Sequence, residues 1–522
     1  MKVLFSILFS ALLVAVTLQA SAQSPDLQRL HIGLGEHVLL TLPGRVEVIG
    51  AYTQGMPVEV IGEGLDERLP EDLSLYGRLR FAPSLYLVGN QWPLFQAYKL
   101  TTDVELAHEM GESSADELLA LDPVHAKRLE PTEPELYELK VSAGGTYLAL
   151  SFGLMRSSWG MGMLSNPGDV QAIQSGASPF GFARSADRVV RALVATYPLG
   201  QGERAAEMVT QEPPLTIALG ADAVLEDDNA DWLIGDRTWH ALGALRGAYA
   251  GFLGGLYGVH RRQRHAEGGE TALTLIDLYL RQELKNEDVR VWAEVEAAIA
   301  FGETSYAQNP LNPGPQSILS GGGLGRMGVN AFGFGLVLEA GYASGDDNPY
   351  DNERSGFTFD REHRVGLLMF REALREASAV SASNVGDPEY RASPPRGYEK
   401  MASAGALRGA IYVNPRVHYE VIEGLTLMAG YLHARSDGPY SDPFQSGLMG
   451  GASMGLQGTL QPDHFGDEID LGVDYRVKLG LFALNIRAEF AWFRPGDIFA
   501  RPAPEDSAPD QMGGWLHGRL SW

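Results

Sequence analysis

The segment DEIDLGVDYRVKLGLFALNIRAEFAWF, residues 467–493, alternates apolar and polar side chains almost without a break. Successive side chains of a β-strand point to opposite faces, so the alternation predicts two strands, each with one apolar and one polar face. Leu479 and Gly480 interrupt the pattern and predict a tight turn between the strands. Val473 and Leu484 would lie on the apolar face, where they need an apolar environment.

The same pattern recurs along the chain, most clearly in residues 289–301, 331–342 and 411–435. Less regular segments bring the number of strand candidates to seventeen, separated alternately by short turns and by long acidic loops rich in Gly and Pro. A barrel with both termini in the periplasm needs an even number, so sixteen or eighteen strands are expected. One candidate, His363–Arg375, has a period that fits a helix within a loop as well as it fits a strand.

Alternating segments of about ten residues, joined by tight turns at one end and long loops at the other, are typical of outer-membrane barrels. A soluble β-sandwich or propeller is the alternative, but no blade repeat of 40–50 residues is present. We therefore expect an all-β fold, a transmembrane antiparallel β-barrel of about 16–18 strands with long extracellular loops and short periplasmic turns. A small N-terminal β extension would precede it.

The N-terminus reads as a secretory signal peptide over residues 1–22, because an apolar run is followed by Ala20-Ser21-Ala22 before Gln23. The chain has no cysteine, which excludes disulfides, a catalytic thiol and lipidation at a cleavage-site cysteine. Residues 23–72 are expected to form the β-rich periplasmic extension, with a turn at Pro43-Gly44, and residues 73–522 the barrel. Residues 24–72 resemble the small β-domain at the start of pilus-assembly and secretin-associated proteins; otherwise they pack under the barrel. Either role allows a periplasmic partner.

The chain ends in GGWLHGRLSW, which again alternates. The apolar side of this strand carries Leu516, Leu520 and Trp522. Because a barrel has no open edge, we expect this strand to pair with the first one, near Leu73. Its aromatic end resembles the C-terminal signal by which outer-membrane proteins are handed to the barrel-assembly machinery, so these three residues are the expected assembly signal.

The polar side of the best strands is expected to line a lumen. It carries both signs of charge on the candidates Glu294, Glu296, Arg416, His418, Glu420, Asp470, Asp474, Arg476, Arg487, Glu489 and Arg519. Such residues form either a solvated wall or a selectivity ring, and Arg beside Glu also pairs across strands. The net charge of −25 argues against nucleic acid as a partner.

No catalytic or metal-binding pattern is evident, and neither an enzyme activity nor a cofactor is expected. The histidines are scattered and form no nucleophile–base motif. The acidic stretch from Glu226 to Asp231 has residue types suited to calcium but lacks the spacing of an EF-hand loop, which favours a solvated acidic loop. Membrane lipid and a small polar solute are the expected partners.

Three stretches, LSFGLMRSSWGMGMLSNPGD, FDREHRVGLLMFREALR and GAIYVNPRVHYEVIEGLTLMAGYLHAR, resemble a family of uncharacterised outer-membrane proteins related to alginate-export-type porins. The resemblance spans about Leu73 to Trp522 and implies a barrel with a polar lumen that passes an anionic or sugar-like solute. The mixed charges depart from the arginine-lined lumen of alginate exporters. A porin-like channel for passive diffusion or export of small polar or sugar-like solutes is expected; the alternatives are a dedicated exporter component and a non-conducting structural or adhesive barrel.

Overall fold

Strands dominate the computed structural model, which describes residues 31–35, 37–54, 72–89, 94–110, 134–168, 180–182, 186–200, 213–266, 268–306, 314–348, 351–386, 403, 405–501 and 507–522. The expected signal peptide lies outside these ranges. The strands are β1 His31–Gly35, β2 Val38–Thr41, β3 Gly44–Thr53, β4 Asp72–Phe81, β5 Ser84–Val88, β6 Ala97–Met110, β7 Pro134–Gly144, β8 Leu148–Arg156, β9 Arg188–Thr196, β10 Leu215–Asp227, β11 Ala230–Asp231, β12 Arg237–Tyr249, β13 Phe252–Arg264, β14 Glu270–Lys285, β15 Val289–Thr304, β16 Gln316–Ala331, β17 Phe334–Ala343, β18 Glu353–Arg354, β19 Ala410–Ile422, β20 Leu425–Ser436, β21 His464–Leu479, β22 Phe482–Pro495 and β23 Gln511–Ser521.

Eighteen of these strands form a closed antiparallel ring. The ring runs through β3, β4, β6–β10, β12–β17 and β19–β23, each strand pairing with the next. β23 pairs with β3 and closes it. The predicted transmembrane barrel of 16–18 strands is thus confirmed, with eighteen strands.

The two ends of the barrel differ in their connections. At one end, called the turn end, two-residue turns join β12 to β13, β16 to β17, β19 to β20 and β21 to β22. The first barrel strand begins at this end and the last one finishes there. At the other, the loop end, long segments join β8 to β9, β17 to β19 and β20 to β21. This asymmetry indicates that the turn end faces the periplasm.

The outer face of the barrel is apolar. In β15 the side chains of Val295 and Ile299 are 42% and 46% exposed, whereas Glu296 between them is fully buried on the inner side. Exposed apolar side chains of this kind recur around the ring, and a closed barrel satisfies every strand hydrogen bond in lipid. These features place the protein in the outer membrane. No helix among the described residues is both long and apolar enough to cross a membrane.

Depth along a strand sets the expected effect of a charge on the outer face. Val291 lies two residues from the turn-end start of β15, whereas Val295 lies nearer the middle of that strand. We expect Val295→Arg to lower the free energy of unfolding by about 2–4 kcal/mol and Val291→Arg by about 0–1 kcal/mol. Urea titration in lipid vesicles measures both. Equal effects at the two depths would contradict the assignment of this face to lipid.

The expected start of the barrel near Leu73 is wrong. Gly44–Thr53 is the first barrel strand, and its Glu47 stands opposite Arg519 of β23. Pro43 does not reverse the chain: β2 pairs with β5 and β3 pairs with β4, so the two segments run on in line. β1, β2 and β5 extend the sheet at the turn end beside β6. The last barrel strand, β23, needs a partner to close the ring. Residues 45–53, which alternate apolar and polar side chains, form that partner strand.

The candidate His363–Arg375 is not a strand. A π-helix at Met369–Leu374 continues into α1, Arg375–Gly386. Further along, α2 spans Pro443–Leu448, and a short 3₁₀ helix spans Asp497–Phe499. The first two helical segments belong to the loop between β17 and β19, which enters the lumen. The buried core therefore lies inside the barrel, with Leu368, Met369, Phe370, Phe465, Phe499 and Trp515 among its members.

Candidate channel interior

Glu339 is the centre of an extended charge network on the inner wall. It is fully buried, and its Oε2 accepts hydrogen bonds from Arg326 Nε at 2.7 Å and Arg416 Nη2 at 2.9 Å. Tyr412 donates to Oε1 at 2.8 Å. The three partners come from β16 and β19, the two neighbours of β17. Alternation alone thus brings opposite charges together across three strands.

The network continues around the wall to Glu294 on β15. Arg326 Nη1 donates to Glu294 Oε1 at 3.1 Å, and Arg281 Nη1 lies 3.7 Å from Glu294 Oε2. Arg281 also donates to Glu283 at 2.8 Å, and Arg290 donates to Glu283 as well. The inner wall therefore carries alternating arginines and glutamates rather than a row of one sign, and these pairs stiffen it.

A second network lies on β21 and β22. Asp474 accepts hydrogen bonds from Arg487 Nε at 3.0 Å and from Arg476 Nη2 at 2.9 Å. Arg487 Nη1 also lies 3.6 Å from Glu489 Oε1. The same Glu489 accepts a hydrogen bond at 3.1 Å from the backbone N–H of Gly181, which belongs to the loop between β8 and β9. This network joins the wall to an inward loop.

Two loop segments meet in the lumen and form what we call the septum, residues 157–168 and 180–182 together with 355–374. Arg364 Nη1 donates to the carbonyl of Gly181 at 2.7 Å, and Arg371 Nη1 donates to that of Phe182 at 2.6 Å. Asp360 accepts from the N–H of Asn166 at 2.9 Å. Burial and the nearby carboxylate of Asp228 raise the pKa of Asp360 well above its usual value.

Wall carboxylates hold the septum in place. Glu468 accepts backbone N–H groups of Leu367, Leu368 and Met369 at 2.5, 2.9 and 2.6 Å, at the start of the π-helix. Glu296 accepts the N–H of Met161. Gly160 next to it has φ +53°, and a Cβ there would lie 2.4 Å from Glu296 Oε2. The close approach of loop to wall at this point requires a glycine.

The septum borders two chambers. The loop-end chamber has a volume of about 410 Å³ and is bordered by Trp159, Tyr257, Arg261, Asp360 and Arg361 among others. The turn-end chamber has a volume of about 830 Å³ and is lined by eight Lys or Arg residues and five Asp or Glu residues. On the side of the septum, this chamber is lined by Phe180, Gly181, Phe182 and Arg364. The loop-end chamber is lined by four Arg and four Asp residues, so the two chambers differ in size and in the balance of charge.

The residues expected to line the lumen all lie on inner faces, but in two settings. Those at the turn-end chamber are Arg416, His418, Glu420, Asp474, Arg476, Arg487 and Arg519. The other four are buried side chains of the barrel wall, namely Glu294, Glu296, Asp470 and Glu489. At the far end of the chain, Leu516 and Leu520 share the outward side of β23, and Trp522 follows at the turn end.

Sequence reasoning did not select several residues that organise this interior, namely Glu47, Arg326, Glu339 and Glu468. Glu339 and Glu468 lie on the polar sides of strands that alternation does predict, so a systematic listing of inward positions finds them. Glu47 was not considered as a lumen residue, because residues 23–72 were assigned to a periplasmic extension and not to the barrel. Its contacts to Arg78, Arg519 and His517 link the first strands to the last.

No protein-family model matches the chain, and no curated protein matches it either. Among solved structures from Pseudomonas aeruginosa, OpdK with vanillate is 13% identical, with 92% of this chain and 99% of that chain covered and a TM-score of 0.49. OccK11 (OpdR) is 12% identical over 92% and 95%, with a TM-score of 0.46. OccK5 (OpdH) is 11% identical over 92% and 98%, also with 0.46. These matches give no support to a relationship with alginate-export-type porins.

Proposed function

We propose that this protein is an outer-membrane channel through which small polar solutes diffuse passively. The observation that carries the proposal is the turn-end chamber, a charged cavity of about 830 Å³ inside a closed barrel. Its wall carries charged side chains of both signs, which suit hydrated polar solutes better than apolar ones. The excess of basic over acidic residues favours a mild preference for anions, while neutral sugar-like solutes remain compatible with it.

The septum sets the size limit of this proposed path. It is built from loop segments held by side-chain contacts to the wall and not by strand pairing. Such contacts open more readily than a β-ladder, because far fewer hydrogen bonds must break. The septum is therefore the expected constriction between the two chambers.

Planar bilayers test the proposal directly. Reconstituted protein should give discrete channels, and the reversal potential in a KCl gradient should indicate weak anion preference. Glu420→Gln removes a negative charge from the turn-end chamber and should shift the reversal potential further toward anions. Glu303→Gln, which removes an exposed carboxylate next to the loop end of β15, is the matched control and should leave it unchanged.

Two alternatives make different predictions in the same assay. A structural or adhesive barrel with a sealed septum gives no channels, which would overturn the proposal. A dedicated exporter component is favoured by one feature, the exposed Ile32 and Leu34 on β1, which pairs only with β2 among the described strands. Such an edge strand suits a periplasmic partner. Deleting residues 31–35 would then abolish export and leave conductance intact.

A further inference from the structure

Two histidines and an aspartate meet on the outer face of the barrel at the loop end. The ligand atoms of His433, His464 and Asp467 all lie within 4.8 Å of one another. His433 Nδ1 lies 2.9 Å from Asp467 Oδ1, and His464 Nε2 lies 3.9 Å from Asp467 Oδ2. The three side chains are about one-third exposed, at 36%, 33% and 32%. Solvent ions can therefore reach them.

We propose that these three residues bind a divalent transition-metal ion of the Zn²⁺ class. Two imidazoles and one carboxylate are ligands that Zn²⁺ accepts, and three protein ligands leave a fourth position for water. Imidazole nitrogen favours such ions over Ca²⁺ or Mg²⁺, which prefer oxygen. The ligand atoms need to close by only small side-chain rotations, since all of them lie within 4.8 Å of one another and two of the separations are already 2.9 and 3.9 Å.

The carboxylate is oriented by a neighbour, as is usual for metal ligands. Tyr431 donates its hydroxyl to Asp467 Oδ1 at 2.5 Å, which leaves Oδ2 on the side of His464. The basic side chains nearby are compensated, because Arg435 pairs with Asp463 and Arg494 lies 3.9 Å from Asp510. Positive charge around the trio therefore opposes a bound cation less than the arginines alone would suggest.

The position of the trio gives the ion a structural role. His433 stands opposite Asp467, which stands opposite Arg494, one step beyond the row of Tyr431, Ile469 and Trp492. Aromatic residues mark the membrane interface, so the trio lies at headgroup level. Between Ala434 and Arg435 the register shifts, and this irregularity brings His464 to the pair. A bound ion would link β20 to β21 at the loop end, where the long loop between them begins and ends.

Co²⁺ is a suitable probe, because its visible absorption reports imidazole and carboxylate coordination. Full-length protein without a histidine tag, folded in detergent, should bind one equivalent of Co²⁺, and Zn²⁺ should displace it. His464→Ala and Asp467→Asn should each weaken binding by at least about 10-fold, and Tyr431→Phe by about 10-fold. His260→Ala is the matched control, since His260 is exposed on β13 and contacts Thr274 instead; it should leave binding unchanged.

Heat-modifiable gel mobility verifies that each variant is folded before titration. If His464→Ala fails to fold, His464→Gln keeps a polar side chain at the same place and should lose Co²⁺ binding equally. Absence of the Co²⁺ bands in the parent protein would overturn the proposal. So would equal affinity of the parent and of Asp467→Asn. Channel conductance is a separate measurement, so the failure of this site and that of the proposed function are distinguishable.

Discussion

Replacing Glu339 with glutamine should lower the free energy of unfolding by about 3–5 kcal/mol, because removing one partner of a buried ion pair leaves the other charge uncompensated. Here two guanidinium groups, Arg326 and Arg416, donate to the same oxygen of Glu339. Arg326 keeps a second partner in Glu294. Most of the lost stability therefore comes from Arg416, whose buried charge would no longer be compensated by Glu339.

Unfolding in urea, followed by the change in gel mobility, measures this effect. Glu420→Gln makes the same chemical change at an exposed position of β19 and should alter stability by about 0.5 kcal/mol or less. If both variants unfold like the parent, the arginines around Glu339 are solvated by lumen water and the ion pairs add nothing to stability. The two variants together thus separate a structural network from a merely lumen-lining one.

Period-2 alternation is a local property, and it predicts local features well. It assigned the faces of β15, β21 and β22 residue by residue, so that Val295 points out and Glu296 points in. It also identified most of the strands that form the ring. Such predictions succeed because lipid on one side and a polar lumen on the other impose opposite requirements on neighbouring residues.

Features that depend on distant parts of the chain were not predictable in this way. Nothing in residues 44–53 alone tells whether they close a barrel with residues 513–521 or form a separate domain. The loop helix near Met369 is fixed by Glu468, about one hundred residues later. The trio of His433, His464 and Asp467 depends on a register shift between two strands. Pairing and register are set by the whole ring, so single segments do not encode them.

The first and last barrel strands meet at a seam, where Gly44 contacts Trp522. Backbone hydrogen bonds join Gly44 and Trp522 in both directions, at 3.1 and 3.0 Å. A Cβ on Gly44 would lie 2.2 Å from the indole ring, so glycine makes room for the final side chain. The ring also packs edge-on against Phe482, with centroids 6.4 Å apart. Trp522 is thus part of the seam.

Deleting Trp522 should therefore cost the folded barrel about 1–3 kcal/mol for two backbone hydrogen bonds and about 0.5–1.5 kcal/mol for the ring contact with Phe482. We expect a much larger effect on assembly, with most of the outer-membrane protein lost, if the aromatic end and the free carboxylate are read together during insertion. Trp522→Phe keeps an aromatic end and is the matched control, expected to assemble nearly normally. Adding residues after Trp522 should act like the deletion. Protease accessibility of the loops in intact cells measures assembled protein, and urea unfolding of purified barrels measures stability. Normal surface levels of the deletion would show that Trp522 only seals the seam and carries no assembly signal.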